Sequence, residues 1–350
     1  GVSEGVTGLS RLIQVIRFLR EEEGPLEAKY ARAISLYYLA PFSREKAIDA
    51  AKARIRGIFG PDLDRHFREW ENAPFSLENR NLPPGSLKGR RVLRDELRYV
   101  GGIPGQERAL ALLAMSIARQ SETNPSATLL VEEDGAEGTD LIKKYAYEKG
   151  IGYNKLDSHP QMKAKDLTGA FSAEFSDLDD RGLRRSLGTD TVFGKGFISR
   201  HLVAEGAPQA DIPEEILHIS KIDALPEKER AILYELLLHG SYRLVGVDGI
   251  QRTFVLPRTI HLVFTARESR FWRLDPAFVK RVNRIGVPAI TSEADVRRVL
   301  AARYGLNEWE QNRVYEIGRS VLLIESKDGW DHHYGFGIRD LWGLGRAVAL

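Results

Sequence analysis

The segment Glu133-Asp134-Gly135-Ala136-Glu137-Gly138-Thr139-Asp140 lies between a short apolar run, Thr128–Val131, and a helical pattern over Leu141–Lys149. Strand, Gly-rich turn and helix is the architecture that cradles phosphate. Glycines let backbone N–H groups converge on phosphate oxygens, and the helix N-terminus adds a favourable field. The chemistry also needs a lysine for the terminal phosphates and a Ser or Thr hydroxyl for Mg²⁺. Here Gly135 and Gly138 supply the glycines, but Thr139 occupies the lysine slot and Asp140 the hydroxyl slot. The loop also carries Glu133, Asp134 and Glu137. A carboxylate about 5 Å from a phosphate oxygen costs roughly 3 kcal/mol at an effective dielectric of 20. Several such pairs, with no lysine, cancel what the backbone cradle supplies. Taken alone, the loop reads first as an acidic strand-to-helix turn.

Other candidate chemistry is thin. His332 and His333 stand beside Asp331, but adjacent histidines point to different faces and no third ligand is spaced nearby. Ser186, Ser199 and Ser241 lack a nucleophile-elbow context. Phe193 and Phe197 around Lys195 read as packing residues before they read as pore aromatics. Arg243, Arg252 and Arg258 read as charges guarding a hairpin edge. The chain has no cysteine, which removes disulfides, a thiol nucleophile and Cys-ligated zinc, and points to a reducing, cytoplasmic setting. Lys+Arg 51 against Asp+Glu 49 leaves a formal charge of +2, which argues against a polybasic nucleic-acid partner. Hydrophobic content of 43% fits a globular chain, and no apolar run is long enough for a bilayer. Because the chain starts at Gly1 and stops at Leu350 within an apolar helical pattern, it is expected to be a segment of something longer.

The elements that must position the loop are read from periodicity. Helices fill residues 8–72, giving an N-terminal helical bundle over 1–72, and a Pro- and Arg-containing linker spans 73–98. From 99 to 290 the pattern alternates. A helix covers Gln106–Gln120, buried strands are expected at Thr128–Val131, Ile216–Ile219 and Ile260–Phe264, and a helix at Lys228–His239. Arg243–Val247 and Thr253–Leu256 around Asp248-Gly249 read as a hairpin. Helices fill most of 291–350. The fold class is α/β, a parallel sheet sandwiched by helices, followed by a helical lid and preceded by a bundle.

Seven segments in this order resemble an AAA+ ATPase module, closest to the MoxR branch and with Lon-type features, over about residues 99–350. YVGGIPGQERALALLAMSI resembles the opening helix, and TLLVEEDGAEGTDLIKKYA the Walker A strand, loop and helix. DLTGAF resembles the segment after the second strand, EEILHISKIDALPEKERAILYELLLHG the Walker B strand and helix, and RLVGVDGIQRTFVLPRTIHLVFTARES the hairpin and sensor-1 strand. LDPAFVKRVNRIGV resembles the motif that carries the arginine finger, and GIRDLWGLGRAVAL the sensor-2 helix.

The resemblance implies Walker B carboxylates where this chain has Ser220 and Lys221, and a sensor-1 Asn where it has Arg267. A hydroxyl does not replace a carboxylate on Mg²⁺, and a lysine does not orient the attacking water. The expectation is a degenerate nucleotide pocket, no ATP hydrolysis and no cofactor or metal. Arg281 falls in the arginine-finger slot and Arg339 in the sensor-2 slot. Both suit interface salt bridges to the pocket's carboxylates, and Lys221 is a further partner for them. Four functions stay open. The first is a non-hydrolysing scaffold, a homo-oligomeric ring or polypeptide gate. The second is the ATP-independent part of a larger Lon-like protease, and the third a regulatory subunit beside an active AAA+ partner. The fourth, nucleic-acid remodelling, rests on arginines alone.

Overall fold

A computed structural model describes residues 25–35, 39–40, 48–53, 65–67, 91–120, 127–133, 136–174, 190–194, 196–204, 212–245 and 251–316. In chain order its helices are α1 (Leu26–Ile34), α2 (Pro104–Gln120), α3 (Gly138–Lys149), α4 (Ala164–Thr168), α5 (Glu227–His239), α6 (Pro276–Val279) and α7 (Glu293–Tyr304). The strands are β1 (Ala127–Glu132), β2 (Gly152–Asp157), β3 (Ala170–Glu174), β4 (Asp190–Gly194), β5 (Val203–Ala204), β6 (Glu215–Ser220), β7 (Ser241–Val245), β8 (Gln251–Val255), β9 (Ile260–Arg267) and β10 (Val282–Val287).

Five of these strands form one sheet in the order β10-β1-β9-β6-β2, parallel throughout. The middle strands explain themselves. Every residue of β1 and β6 is buried, and β9 is buried up to Ala266. Helices cover both faces, so these segments are near-continuous apolar runs. On one face Leu110, Leu113 and Ile117 of α2 and Ile142 and Tyr145 of α3 pack against Leu130, Ile216 and Val263. On the other, Leu233 and Leu236 of α5 pack with Leu217, Ile219, Phe264 and Phe278. Each such fully buried side chain contributes about 2 kcal/mol of transfer free energy.

The edge strands are less apolar. β2 is buried at Gly152 and Tyr153 and then alternates between half-buried and exposed positions, and β10 carries half-buried Asn283 and Arg284. The sequence reading omits both, since neither is an uninterrupted apolar run. It also omits the antiparallel pair β3–β4 and the short β5, which extends the expected hairpin β7–β8 to three strands. The hairpin turn at Asp248-Gly249 lies outside the described residues, as does the sequence from 317 to 350.

The N-terminal helices have a small cluster of their own, Ala31, Ile34, Leu39 and Phe67. They are also tied to the α/β core: Gly286 of β10 donates its N–H to the Ala40 carbonyl at 2.7 Å, and Arg108 of α2 donates to the Leu39 carbonyl at 2.9 Å. An edge strand is thereby covered at one of its free amides. At the other end of the chain, α7 packs away from the sheet. Val296, Val299 and Leu300 join Ile103, Ile290, Leu306 and Val314 in a separate cluster. Ser292 caps α7 by accepting the Asp295 N–H. Gly305, at φ 67°, ends the helix one turn beyond the face that meets α3. No helix among the described residues is long and apolar enough to cross a membrane.

Candidate functional site at the carboxyl edge of the sheet

All five core strands point the same way, so their carboxyl ends lie along one edge, where open α/β sheets place their ligand crevices. Register sets the neighbours. Asp157 at the end of β2 pairs with Ser220 at the end of β6, and Glu132 at the end of β1 pairs with Arg267 at the end of β9. The segment after β1 is fixed by local contacts. Glu133 donates its N–H to the Val287 carbonyl, and its Oε2 accepts the Ala289 N–H at 2.9 Å. Ala136 closes the turn onto the Glu133 carbonyl. Gly138 opens α3 against the buried Glu132, and a Cβ there would run into the Glu132 carboxylate. The glycine leaves room for that side chain. Asp134 and Gly135 lie outside the described residues.

The cation missing from the loop comes from α7. Arg303 Nη2 forms ion pairs with Glu137 and, at 3.0 Å, with Asp140 Oδ2. The three side chains are only 10%, 21% and 14% exposed. Burial pushes the Asp140 carboxyl up to about 7, helped by the neighbouring Glu137, which favours the protonated form as an acceptor and through its negative charge, against the pull of Arg303 and Lys143. Burial alone would lower Arg303, but the hydrogen bond and charge of Glu137, with Asp140 behind it, hold the guanidinium above its usual range. Tyr99, Val100, Ile103, Gln106 and Ile290 complete the walls of the cleft around this cluster. Its free volume is about 10 Å³, room for one water molecule.

Among the described residues, Arg303 is the cation paired with these acids. Lys221 does not reach them. It sits in the left-handed region at φ 56°, donates its N–H to Thr265 Oγ1 at 3.1 Å, and directs its charge at Asp157. Burial would raise Asp157, but the Lys155 ammonium at 2.8 Å, the Ser220 hydroxyl and Lys221 together hold it below the usual carboxylate range. Arg267 turns to Asp223, which is fully buried: its N–H donates to Oδ1 at 3.3 Å and its Nε lies 3.7 Å from Oδ2. Thr139 is half-buried on the first turn of α3. Arg281 is exposed just before β10, whose first residue, Val282, pairs with Ala127 at the start of β1. It is thus at the amino edge of the sheet, about 17 Å from the acidic loop by strand rise, and cannot pair with that loop in its own chain. Arg339 lies outside the described residues.

Beneath the edge runs a buried polar chain. The Tyr153 hydroxyl is 2.9 Å from His218 Nδ1, His218 Nε2 is 3.4 Å from Thr265 Oγ1, and Thr265 holds the Lys221 N–H. Complete burial drives His218 down to about 3, so the ring is neutral, and burial also raises the Tyr153 phenol. The sequence reading missed Arg303, Asp223, Tyr153 and Thr265. His218, a polar residue inside the apolar strand Glu215–Ser220, was the visible sign of a buried partner.

Chemically, this edge does not fit a magnesium nucleotide. A polyanion at the N-terminus of α3 would meet Glu137 and Asp140, whose guanidinium is already committed, and Ser220 offers a hydroxyl that is bound to Asp157. Among the described residues no group of three or more His, Asp and Glu is placed to hold a metal ion. No family model and no curated protein matches this chain.

Two measurements follow from these contacts. Arg303→Ala leaves two buried acids without their cation and is expected to lower the unfolding free energy by about 3 kcal/mol in urea titrations, with Arg303→Lys intermediate. His218 resists protonation in the folded state to about pH 3, while the unfolded chain takes up a proton near 6.5. Its contribution to stability is therefore complete above pH 6.5 and lost as the pH falls towards 3. A His218→Gln variant should show a shallower decline in melting temperature across that window than the parent.

Proposed function

We propose that this chain is a non-hydrolysing AAA+-like module that works as an assembly and polypeptide-gating scaffold. The observation that carries the reading is the ion-paired cluster of Arg303 with Glu137 and Asp140 at the N-terminus of α3. In the family the chain resembles, nucleotide bridges the α/β domain and the lid at the corresponding loop. Here a side chain from α7 makes the bridge and supplies the positive charge that the loop lacks. The strand order supports the same reading. β9 lies between β1 and β6, so the sensor-1-like Arg267 stands between the Walker A-like turn and the Walker B-like turn, as the seven-segment resemblance requires. Ser220 and Arg267 lie beside acids of the same chain and the Lys221 backbone N–H is held by Thr265, which supports a structural role at these positions.

Arg281 supports the assembly half of the reading. It is exposed at the sheet edge opposite the loop, where a guanidinium serves a neighbour and not its own site. A repeated contact between two different faces closes into a ring. The partner is a further copy of the chain or an AAA+ subunit.

Calorimetric titration with ATP and Mg²⁺ is the deciding experiment, and no heat of binding is expected up to millimolar nucleotide. Saturable binding there would overturn the proposal. For the assembly half, light scattering of the parent should give a mass above that of the monomer, and Arg281→Glu should reduce it. A parent that is monomeric at every concentration removes the ring.

A further inference from the structure

Glu137 Oε2 and Asp140 Oδ2 both meet the same nitrogen, Arg303 Nη2, and all three side chains are largely buried. Two carboxylates packed on one buried guanidinium repel each other when both are ionised, which favours a proton on one of them, in keeping with the raised Asp140 carboxyl. The cluster then holds one negative charge against one guanidinium and is neutral. With both acids ionised it carries a net charge of −1 inside a cleft that is nearly closed to water, where that charge is poorly screened. We propose that this cluster is a proton-locked latch: one proton shared by two carboxylates lets a single guanidinium hold α7 against the N-terminus of α3, and release of that proton to solvent loosens α7.

The surroundings fit a switch. From α7 the facing groups are Arg303 and, one residue on, Tyr304. From α3 itself Lys143 favours the ionised form, and from β2 Tyr153 presents a phenol kept neutral by burial. Tyr99 lines the cleft, with its phenol also pushed up by burial and by Glu107. Among the described residues no second guanidinium pairs with Asp140, so loss of the proton is answered only by the charge of Lys143. The position of Asp140 near neutrality places the transition in a range that cells cross. The hinge side is built for release. α7 rests on its own apolar cluster with Ile103 and Ile290, separate from the two clusters that flank the sheet, so it can shift without opening the main core.

This rests on the scaffold reading, in which α7 belongs to the lid and is bridged to α3 without nucleotide. The test is hydrogen exchange with mass-spectrometric detection on the intact chain from pH 5.5 to 8.5, corrected for intrinsic exchange rates. Peptides covering α7 should lose about tenfold in protection, relative to β1, between pH 6 and pH 8.5. Asp140→Asn keeps a hydrogen-bond donor in place of the proton, so α7 should stay protected throughout. Glu137→Gln should do the same, and it keeps the test open if the first variant fails to fold. A parent whose α7 protection does not change with pH, or variants that lose protection in parallel with it, would overturn the latch. Repeating the ATP titration at both pH values separates the two ideas: nucleotide binding overturns the scaffold reading, whereas pH-independent protection with no nucleotide binding overturns only the latch.

Discussion

A buried guanidinium facing two carboxylates is the constraint on which the carboxyl edge of this protein depends. Bringing three ionisable groups out of water is costly, and their mutual attraction offsets that cost only when the geometry is tight. The fold supplies the geometry from three directions. Glu133 pins the turn to the end of β10, Gly138 lets α3 start directly against Glu132, and the Ile103–Val299–Leu300 cluster sets α7 at the height where Arg303 reaches both acids. Such a cluster adds little to stability compared with an apolar replacement, but it tolerates only one placement of α7, because any other leaves a charge buried and alone.

The same logic recurs along the edge. Ser220 lies beside Asp157, the Lys221 amide donates to Thr265, and Arg267 donates its N–H to Asp223. Lys221 in the left-handed region has a modest backbone cost, of about 1 kcal/mol, and the hydrogen bond to Thr265 holds it there. Thr265 is in turn fixed by His218, and His218 by Tyr153. The strands β2, β6 and β9 are therefore joined through side chains as well as through the sheet ladder.

The central strands were legible in the sequence because both of their faces are covered, so burial writes itself as an apolar run. The edge strands were not. β2 has one dry face and β10 includes Asn283 and Arg284, and each needs its neighbour to become a strand. The acidic turn and its lack of a lysine were also legible, as residue types at fixed spacing. Its true partner was hidden. Arg303 is one of several arginines on a helix whose facing surface is decided by tertiary packing, and the sequence separation of 163 residues from Asp140 offers no local signal. The docking of Ala40 onto Gly286 was hidden for the same reason, since it is made by backbone atoms that every residue has.

The two ends of the sheet divide the labour of the proposed scaffold. One end is sealed by internal pairs, and the other presents Arg281 to solvent. A ligand shifts a conformational equilibrium only by the difference in its affinity for the two states. In a nucleotide-driven module that difference comes from binding and hydrolysis. Where the bridge between lobes is a side chain, its effective concentration is fixed by the fold and does not vary with metabolite level. The lobe angle then responds only to what changes the bridge itself, which is its charge state, or to forces applied through a neighbouring subunit. A parallel sheet with both faces packed transmits such a force with little deformation, and through it the proposed scaffold would couple a contact at its amino edge to the α3–α7 junction.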